Sequence, residues 1–312
     1  MTSSPALTVV VPGFDVESYA REAIDSLRAQ TRHDWTAVLV DDGSTDATGS
    51  IFEAAAETDP RFHVVHHDLQ RGLSAARNTG LDLATTPYIG FLDADDVMMP
   101  RAVERLVGTI ERTGSDLVAG AYVRLRPDAR GGYSPGDVQP WVAAATSPAR
   151  DRTTLAEHPD ASGNIVAWSK VSRREMWQNL RFPLGRTYED QLAAQLLYTT
   201  ARSFDVIPDV VVQWRERAEG TSITQRKDGL PVLRDYIDAL AGGIAVLDAA
   251  GFAAAAASRV RLILTMDVPP LIEIARAHPD PAYRRELGAF VRSLHSRAVE
   301  PASAAVEMAL RW

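Results

Sequence analysis

The stretch Tyr88-Ile89-Gly90-Phe91-Leu92-Asp93-Ala94-Asp95-Asp96 decides how this chain is read. A short apolar run predicts a strand, and the acids at its end stop it. Outward from it the same grammar repeats. Leu7 to Val11 is a β-branched run ending in Pro12-Gly13, and Thr36 to Val40 is cut off by Asp41-Asp42-Gly43-Ser44. Phe62 to Val65 and Asp116 to Leu125 supply two more strands. Between them the spacing turns helical. Val16, Tyr19, Ala20, Ala23, Ile24 and Leu27 recur at three- and four-residue steps. Helices are predicted over 46–57, 73–84 and 100–112, the last with Pro100 suited to its first turn. Such alternation means βαβ units, hence an α/β protein with a mostly parallel sheet flanked by helices.

The alternation breaks between Arg126 and Gly163, a stretch rich in proline and glycine that reads as a long loop, with Trp141 packing down onto the body. Helical patterns resume over Arg173–Leu180 and Tyr188–Thr200. Phe204 to Ile207 and Val210 to Trp214 read as two strands joined by Pro208-Asp209. From Gly229 onward the chain is helical, with interruptions expected at Pro269-Pro270 and His278-Pro279.

Composition narrows the function. The 312 residues carry a formal charge of −8, 46% hydrophobic side chains and no cysteine. Disorder, a disulfide framework, a thiolate zinc site and a cysteine nucleophile are all excluded. Net acidity argues against nucleic acid as a partner, because that binding needs a basic surface. Neither a signal peptide nor a membrane span is read. Ala241 to Val260 comes nearest to a span, but it is mostly alanine and glycine and contains Asp248. The expected location is cytoplasmic, with peripheral contact at the inner face of a membrane left open.

In open α/β sheets, ligands bind beyond the carboxyl ends of the strands. Asp15, the pair Asp41 and Asp42, and the trio Asp93, Asp95 and Asp96 all follow strand ends. A single such acid reads as a helix cap or turn residue. Three strands bringing acids to one edge need compensation by a cation or by hydrogen-bond donors. The alternate spacing of Asp93 and Asp95 projects two carboxylates one way if the segment is extended. Hard oxygens of this kind suit Mg2+ or Mn2+, which take further oxygens from phosphate.

Taken together, these stretches resemble a family 2 glycosyltransferase of the GT-A fold. The resemblance rests on Val9-Val10-Val11-Pro12, Ser26-Leu27 to Gln30-Thr31, Val40 to Asp46, Gly72 to Gly80 (Gly-Leu-Ser-Ala-Ala-Arg-Asn-Thr-Gly) and Phe91 to Asp96. It continues through Trp168-Ser169-Lys170, Arg181-Phe182-Pro183, Tyr188-Glu189-Asp190, Gln213-Trp214-Arg215 and Thr221-Ser222-Ile223-Thr224. One departure is visible: Gly13, Phe14 and Asp15 stand where the family commonly has an aromatic residue followed by asparagine.

The resemblance implies a Rossmann-like GT-A domain over residues 1–225, with donor binding in 1–125 and a loop and acceptor part in 126–225. Residues 226–312 follow as a helical extension. It implies inverting transfer of a sugar from a nucleotide diphosphate sugar, by family default a UDP-sugar, to an acceptor hydroxyl on a cell-wall polymer, exopolysaccharide or other glycoconjugate. Asp190 would be the general base. Asp95 would ligate a divalent cation, Mn2+ or Mg2+, with Asp93 near the ribose or bound through water. Asp41 and Asp42 would meet the nucleotide. Pro12, Phe14, Ala94, Arg77, Arg215, Ser222 and Thr224 would also contact the donor. Asp15, Arg71, Asp96, Glu189 and Arg217 would support the site. Arg215 and Arg217, two apart on an apparent strand, would face the same side and clamp the diphosphate. Seven carboxylates assigned to one cleft or its rim would then nearly match the whole acidic excess.

Other classes fit less well. A phosphohydrolase of the haloacid dehalogenase type needs a downstream lysine, and only Lys170 and Lys227 exist. A nucleotidyltransferase usually opens with a glycine-rich basic loop, which Pro12-Gly13-Phe14-Asp15 is not. A non-catalytic nucleotide-sugar-binding protein would not need Asp93, Asp95 and Asp190 intact. The tail is read as a possible interaction module through which copies of the chain could pair. Arg284, Arg285, Arg292 and Arg297 are read as a solvated helix face, with an acidic membrane surface or an anionic polymer acceptor as the alternative.

Overall fold

The structure, a computed structural model, describes residues 4–218, 220, 227–298 and 301–312. The first half alternates as expected: β1 (Leu7–Gly13), α1 (Glu17–Arg28), β2 (Trp35–Asp41), α2 (Thr48–Thr58), β3 (Phe62–His66), α3 (Leu73–Leu83), β4 (Tyr88–Phe91), β5 (Val97–Met98), α4 (Ala102–Thr113) and β6 (Leu117–Pro127). There follow β7 (Tyr133–Pro135), α5 (Pro140–Thr146), β8 (Arg150–Thr153), β9 (Lys170–Arg173), α6 (Asp190–Thr200) and β10 (Phe204–Arg215). The remainder is helical: α7 (Leu230–Ala249), α8 (Ala253–Leu262), α9 (Val268–Ala277), α10 (Pro281–His295) and α11 (Ala304–Ala309).

One ten-stranded sheet runs in the order β3-β2-β1-β4-β9-β6-β10-β5, with β7 on β6 and β8 on β10. Strands β3, β2, β1 and β4 are mutually parallel, as are β6 and β10. Every residue of β1 is buried, because helices cover both faces of a parallel sheet and leave no side for water. Gly80 of α3 lets that helix lie against β1: a Cβ there would sit 2.2 Å from Val10 Cγ1.

Several local expectations are corrected. Arg173 ends a strand, Lys170–Arg173, that sequence reading missed, and does not start a helix; this β9 inserts antiparallel between β4 and β6, and only a short 3-10 turn (Arg174–Trp177) follows. Four residues are too few to display a period, and their pairing partners lie far away in sequence. The two strands around Pro208 are one, β10, with register shifts between Ile207 and Val212. Proline has no N–H for the ladder and is tolerated at such an irregularity. The stretch 126–163 is not structureless, since β7, α5, β8 and a 3-10 turn (Pro159–Gly163) lie in it.

Pro269 and Pro270 do not break the tail. They occupy the first turn of α9, where no N–H is needed, and a π-helical turn (Ile263–Asp267) carries α8 directly into it. His278-Pro279 does end α9, and the Asp280 carboxylate caps α10 by accepting from the Ala282 amide at 2.8 Å. Gly251 (φ +80°) separates α7 from α8 within Ala241–Val260. Among the described residues no helix is long and apolar enough to cross a membrane.

The tail is packed, not appended. α7 lies on α6, α8 lies on the Pro159–Gly163 turn, and one apolar core runs from Val10 and Leu39 through Leu197 to Leu240, Ile272 and Val291. Its arginines tie helices together. Arg297 pairs with Asp248 at 2.7 Å, Arg284 donates to the Ala275 and Arg276 carbonyls, and Arg292 donates to the Leu310 and Trp312 carbonyls.

Candidate active site

Arg77 is the hub. It lies on α3, fully buried, with its guanidinium over the Phe182 ring at 5.2 Å. Nη1 donates to Glu189 Oε1 (2.6 Å) and Asp190 Oδ1 (2.5 Å), and Nη2 donates to Asp93 Oδ1 (2.7 Å). One cation thus joins the end of β4 to the start of α6. The three carboxylates hold the arginine charged against the cost of its burial. Burial lifts the Glu189 carboxyl to about 7, partly offset by Arg77. Burial also raises Asp190, again with Arg77 opposing and Asp93 adding to the rise.

Backbone groups fix Asp190 from the other side. The Ala167 amide donates to Oδ2 at 3.1 Å. Lys170, buried, anchors that segment by donating to Asn164 Oδ1 (2.9 Å) and the Val166 carbonyl (2.6 Å), and burial lowers its pKa to about 7. Asn78 and Phe182 exchange a reciprocal pair of bonds at 2.9 and 3.0 Å, clamping the Arg181-Phe182-Pro183 segment to α3.

Asp93, Ala94 and Asp95 form a turn, not an extended segment: the Asp96 amide donates to the Asp93 carbonyl at 2.9 Å. The two carboxylates therefore take different partners. Asp93 meets Arg77, while Asp95 Oδ2 accepts from Arg217 Nε at 2.7 Å. Burial raises Asp95, with Arg217 opposing and Asp93 adding. Ala94 is buried, its amide on the Pro12 carbonyl at 3.3 Å. Asp96 is also buried; it accepts from the Arg215 amide at 2.8 Å, and burial pushes its carboxyl well up.

Arg215 and Arg217 do share a side, both lying over the Tyr19 ring, at 5.1 and 5.8 Å. Arg215 is committed to bracing the turn: Nε donates to the Asp95 carbonyl at 2.7 Å and Nη2 pairs with Glu22 at 2.5 Å. Ser222 and Thr224 lie outside the described residues.

Asp41 and Asp42 diverge, because neighbours at a strand end point to opposite sides. Asp42 Oδ1 accepts from the Arg71 amide (3.0 Å) and pairs with His67 Nδ1 (2.6 Å), while Oδ2 accepts from the Gly72 amide (2.7 Å). It thereby shapes the loop before α3, where Gly72 adopts φ +91°, a conformation glycine tolerates best. The Arg71 side chain itself is exposed. Asp41 instead faces a groove with Asp46 and Gly49 and pairs with His66 at 2.8 Å. Asp15 has φ +48°, a left-handed setting that asparagine and aspartate fill readily; its carboxylate accepts from the Thr45 amide at 2.8 Å. Pro12 is buried and Phe14 half-buried beside it. The acidic excess is thus not gathered in one cleft: Asp93, Glu189 and Asp190 share it, and Arg77 offsets them.

A cavity of about 590 Å3 opens from Arg77, Asp93 and Asp190. Tyr122, Trp141, Trp168 and Trp214 line it from the sheet domain, and Arg259 and Asp267 from the tail. The tail also reaches the turn that carries Glu189 and Asp190. Tyr236 of α7 stacks on Tyr188 at 4.2 Å between ring centres and donates to Asp267 at 2.6 Å, while Arg259 of α8 donates to Gln191 at 2.9 Å. Both flanks of Glu189-Asp190 are therefore held from 230–267. Tyr188 sits at φ +61°, strain that a tight surround can maintain. Sequence reading missed His67, Tyr188, Arg259 and Asp267. Only Tyr188 carried a signal, through its place beside Glu189-Asp190.

Among the described residues no group of three or more metal-binding side chains forms a cage. The donor set still fits a hard divalent ion, which binds through one or two carboxylates and completes its shell with phosphate oxygens and water. Asp95 and Asp93 are two such carboxylates on one turn.

Comparison with known proteins agrees with this geometry. The model for glycosyl transferase family 2 matches residues 8–180. The uncharacterized glycosyltransferase EpsJ of Bacillus subtilis is 35% identical over 181 residues, covering 57% of this chain and 51% of that protein. Glycosyltransferase GlyA of Streptococcus pneumoniae is 29% identical over 248 residues, covering 79% and 35%. The chain thus spans about half the length of the first and about a third of the second. Among solved structures, S. aureus TarS 1–349 in complex with UDP-GlcNAc aligns with a TM-score of 0.74 at 19% identity, over 94% of this chain and 83% of that one. The mannosyltransferase PcManGT from Pyrobaculum calidifontis, in complex with GDP-Man and Mn2+, aligns at 0.53 with 20% identity, over 100% and 88%. At such identities the likeness is one of fold.

Proposed function

The chain belongs to glycosyl transferase family 2, and from that premise we propose that it moves a sugar from a nucleoside diphosphate sugar to an acceptor hydroxyl with inversion, Asp190 acting as general base. The observation that carries this reading is the setting of Asp190: lining the cavity, oriented by Arg77 and the Ala167 amide, with its proton affinity raised by burial. A carboxylate so tuned accepts the acceptor's proton as the hydroxyl attacks. Attack from the side opposite the leaving diphosphate gives inversion without a covalent intermediate.

Asp95, with Asp93, would hold a divalent cation, Mn2+ or Mg2+. When bound, that ion supplies Lewis-acid stabilisation of the charge on the departing diphosphate. Arg217, already at Asp95, would add a charge-assisted bond to the same phosphates. Asp42 would act on the nucleotide through the Arg71-Gly72 loop it fixes. A UDP-sugar is the proposed donor, in keeping with the fold shared with a protein solved with UDP-GlcNAc. The acceptor is proposed as a saccharide of a cell-wall polymer, exopolysaccharide or other glycoconjugate, met on the cytoplasmic side.

Asp190→Asn tests the assignment. Transfer should fall at least a thousandfold while UDP affinity stays within twofold. Substantial residual turnover would remove Asp190 from the role. Product analysis separates the reading from nucleotidyl transfer, since free nucleoside diphosphate is expected and pyrophosphate would overturn it.

A further inference from the structure

We propose that the deep half of the cavity seats an uncharged pyranose of the acceptor, between an aromatic wall on the sheet domain and a polar wall shared by α6, the end of β10 and the tail helices. This rests on the glycosyltransferase reading above and adds to it the acceptor's charge class and the elements that select it.

Position comes first. The cavity that Asp190 lines is also lined by Arg259 and Leu262 of α8 and by Met266 and Asp267 of the π-helical turn, so a sugar held near the base would lie beside both walls. Its volume of about 590 Å3 lies in the range of small-ligand sites. Wall chemistry comes second. Trp141 and Trp214 are half-buried and line the space, and Tyr122 and Trp168 back them edge-on with ring centres 4.8 Å apart. Aromatic faces attract the C–H face of a sugar ring and leave its equatorial hydroxyls free for polar neighbours. Gln191, Glu216, Arg259 and Asp267 supply such neighbours.

Charge is the third and discriminating point. Among the described residues, both arginines of the tail side of the cavity are already paired with a carboxylate. Arg124 pairs with Glu216 and lies 4.5 Å over the Trp214 ring. Arg259 pairs with Asp267 at 3.4 Å. Lys227 lies 4.8 Å over the Tyr236 ring, and burial lowers its pKa. A phosphate-bearing acceptor would find no unpaired arginine there among the described residues and would lose its hydration. A neutral sugar carries no such cost.

Calorimetric titration of the full chain, in the presence of UDP, tests this with two panels: neutral disaccharides of hexoses and N-acetylhexosamines, and oligomers of glycerol phosphate and ribitol phosphate. At least one neutral disaccharide should bind and the phosphate oligomers should not. Trp141→Ala should weaken that binding and raise the acceptor KM at least tenfold, leave UDP affinity within twofold, and be largely rescued by Trp141→Phe. Binding confined to the phosphate oligomers, absence of binding in both panels, or an acceptor KM unmoved by Trp141→Ala would overturn the seat. Slow donor hydrolysis to free UDP, followed without acceptor, separates the two readings. If it persists while no neutral sugar binds, the seat alone fails. Loss of both UDP binding and donor hydrolysis in the unaltered chain would sink the glycosyltransferase mechanism itself.

Discussion

Replacing Arg77 with methionine removes the only charge that three clustered carboxylates share while keeping most of the buried volume. Asp93, Glu189 and Asp190 each lose a bond of 2.5–2.7 Å. Breaking a buried ion pair from one side costs about 3–5 kcal/mol. Asp93 keeps 23% side-chain exposure and can rehydrate, which places the expected loss near the lower figure, about 3 kcal/mol. The pH dependence is the sharper test. The Glu189 carboxyl is raised in the folded protein from 4.5 to about 7, so the folded state binds more protons than the unfolded chain between those values. Stability therefore falls as pH rises through this window, by on the order of 3 kcal/mol for this group in the unaltered protein. Without Arg77 the folded value climbs further, and the loss extends to higher pH. Urea unfolding at pH 5 and pH 8 reads this directly. With a slope of about 3 kcal/mol per molar, the variant's midpoint should drop by roughly 1 M at pH 8 and clearly less at pH 5. Adding Glu189→Gln should recover part of the deficit at pH 8. A deficit that is equal at both pH values, or that grows on acidification, would refute the reasoning.

Other consequences are simpler to check. Asp95→Asn should abolish the gain in UDP affinity that Mn2+ gives, measured calorimetrically, and an unchanged metal titration would remove Asp95 from that site. Gly80→Ala places a Cβ 2.2 Å from Val10, so despite better helix propensity it should destabilise by about 1–3 kcal/mol; a raised Tm would show that α3 can move away. Tyr236→Phe keeps the stack on Tyr188 but removes the bond to Asp267, and kcat should fall severalfold with UDP affinity unchanged. Unaltered kinetics would mean the tail does not position the catalytic turn.

The legible parts of this molecule were local. A strand that ends in acids announces itself within nine residues, and the element order of the first half follows from such runs. Arg77 could be nominated from its motif, but its burial and its three partners could not, because Asp190 lies 113 positions away. Strand β9 escaped because four residues carry no period, and β10 was split because Pro208 reads as a terminator until the bulge is seen. The alanine-rich tail hid most. Its helices were plain, yet Arg259 and Asp267 look like any solvated pair until α8 and the π-helical turn bring them to Gln191 and Tyr236.

The charge of the cleft is settled by geometry, not by composition. Neighbouring acids on a strand diverge, so Asp41 leaves the site while Asp42 is consumed in shaping a loop. The turn at Asp93–Asp95 then separates two carboxylates that an extended chain would have aligned, giving one to Arg77 and the other to Arg217. Each acid at the catalytic end therefore starts with an internal cation. That arrangement lets the fold hold a carboxylate cluster in place from within. It also keeps Asp190 oriented while burial holds its proton affinity up, the two properties that the proposed proton transfer from an acceptor hydroxyl would require.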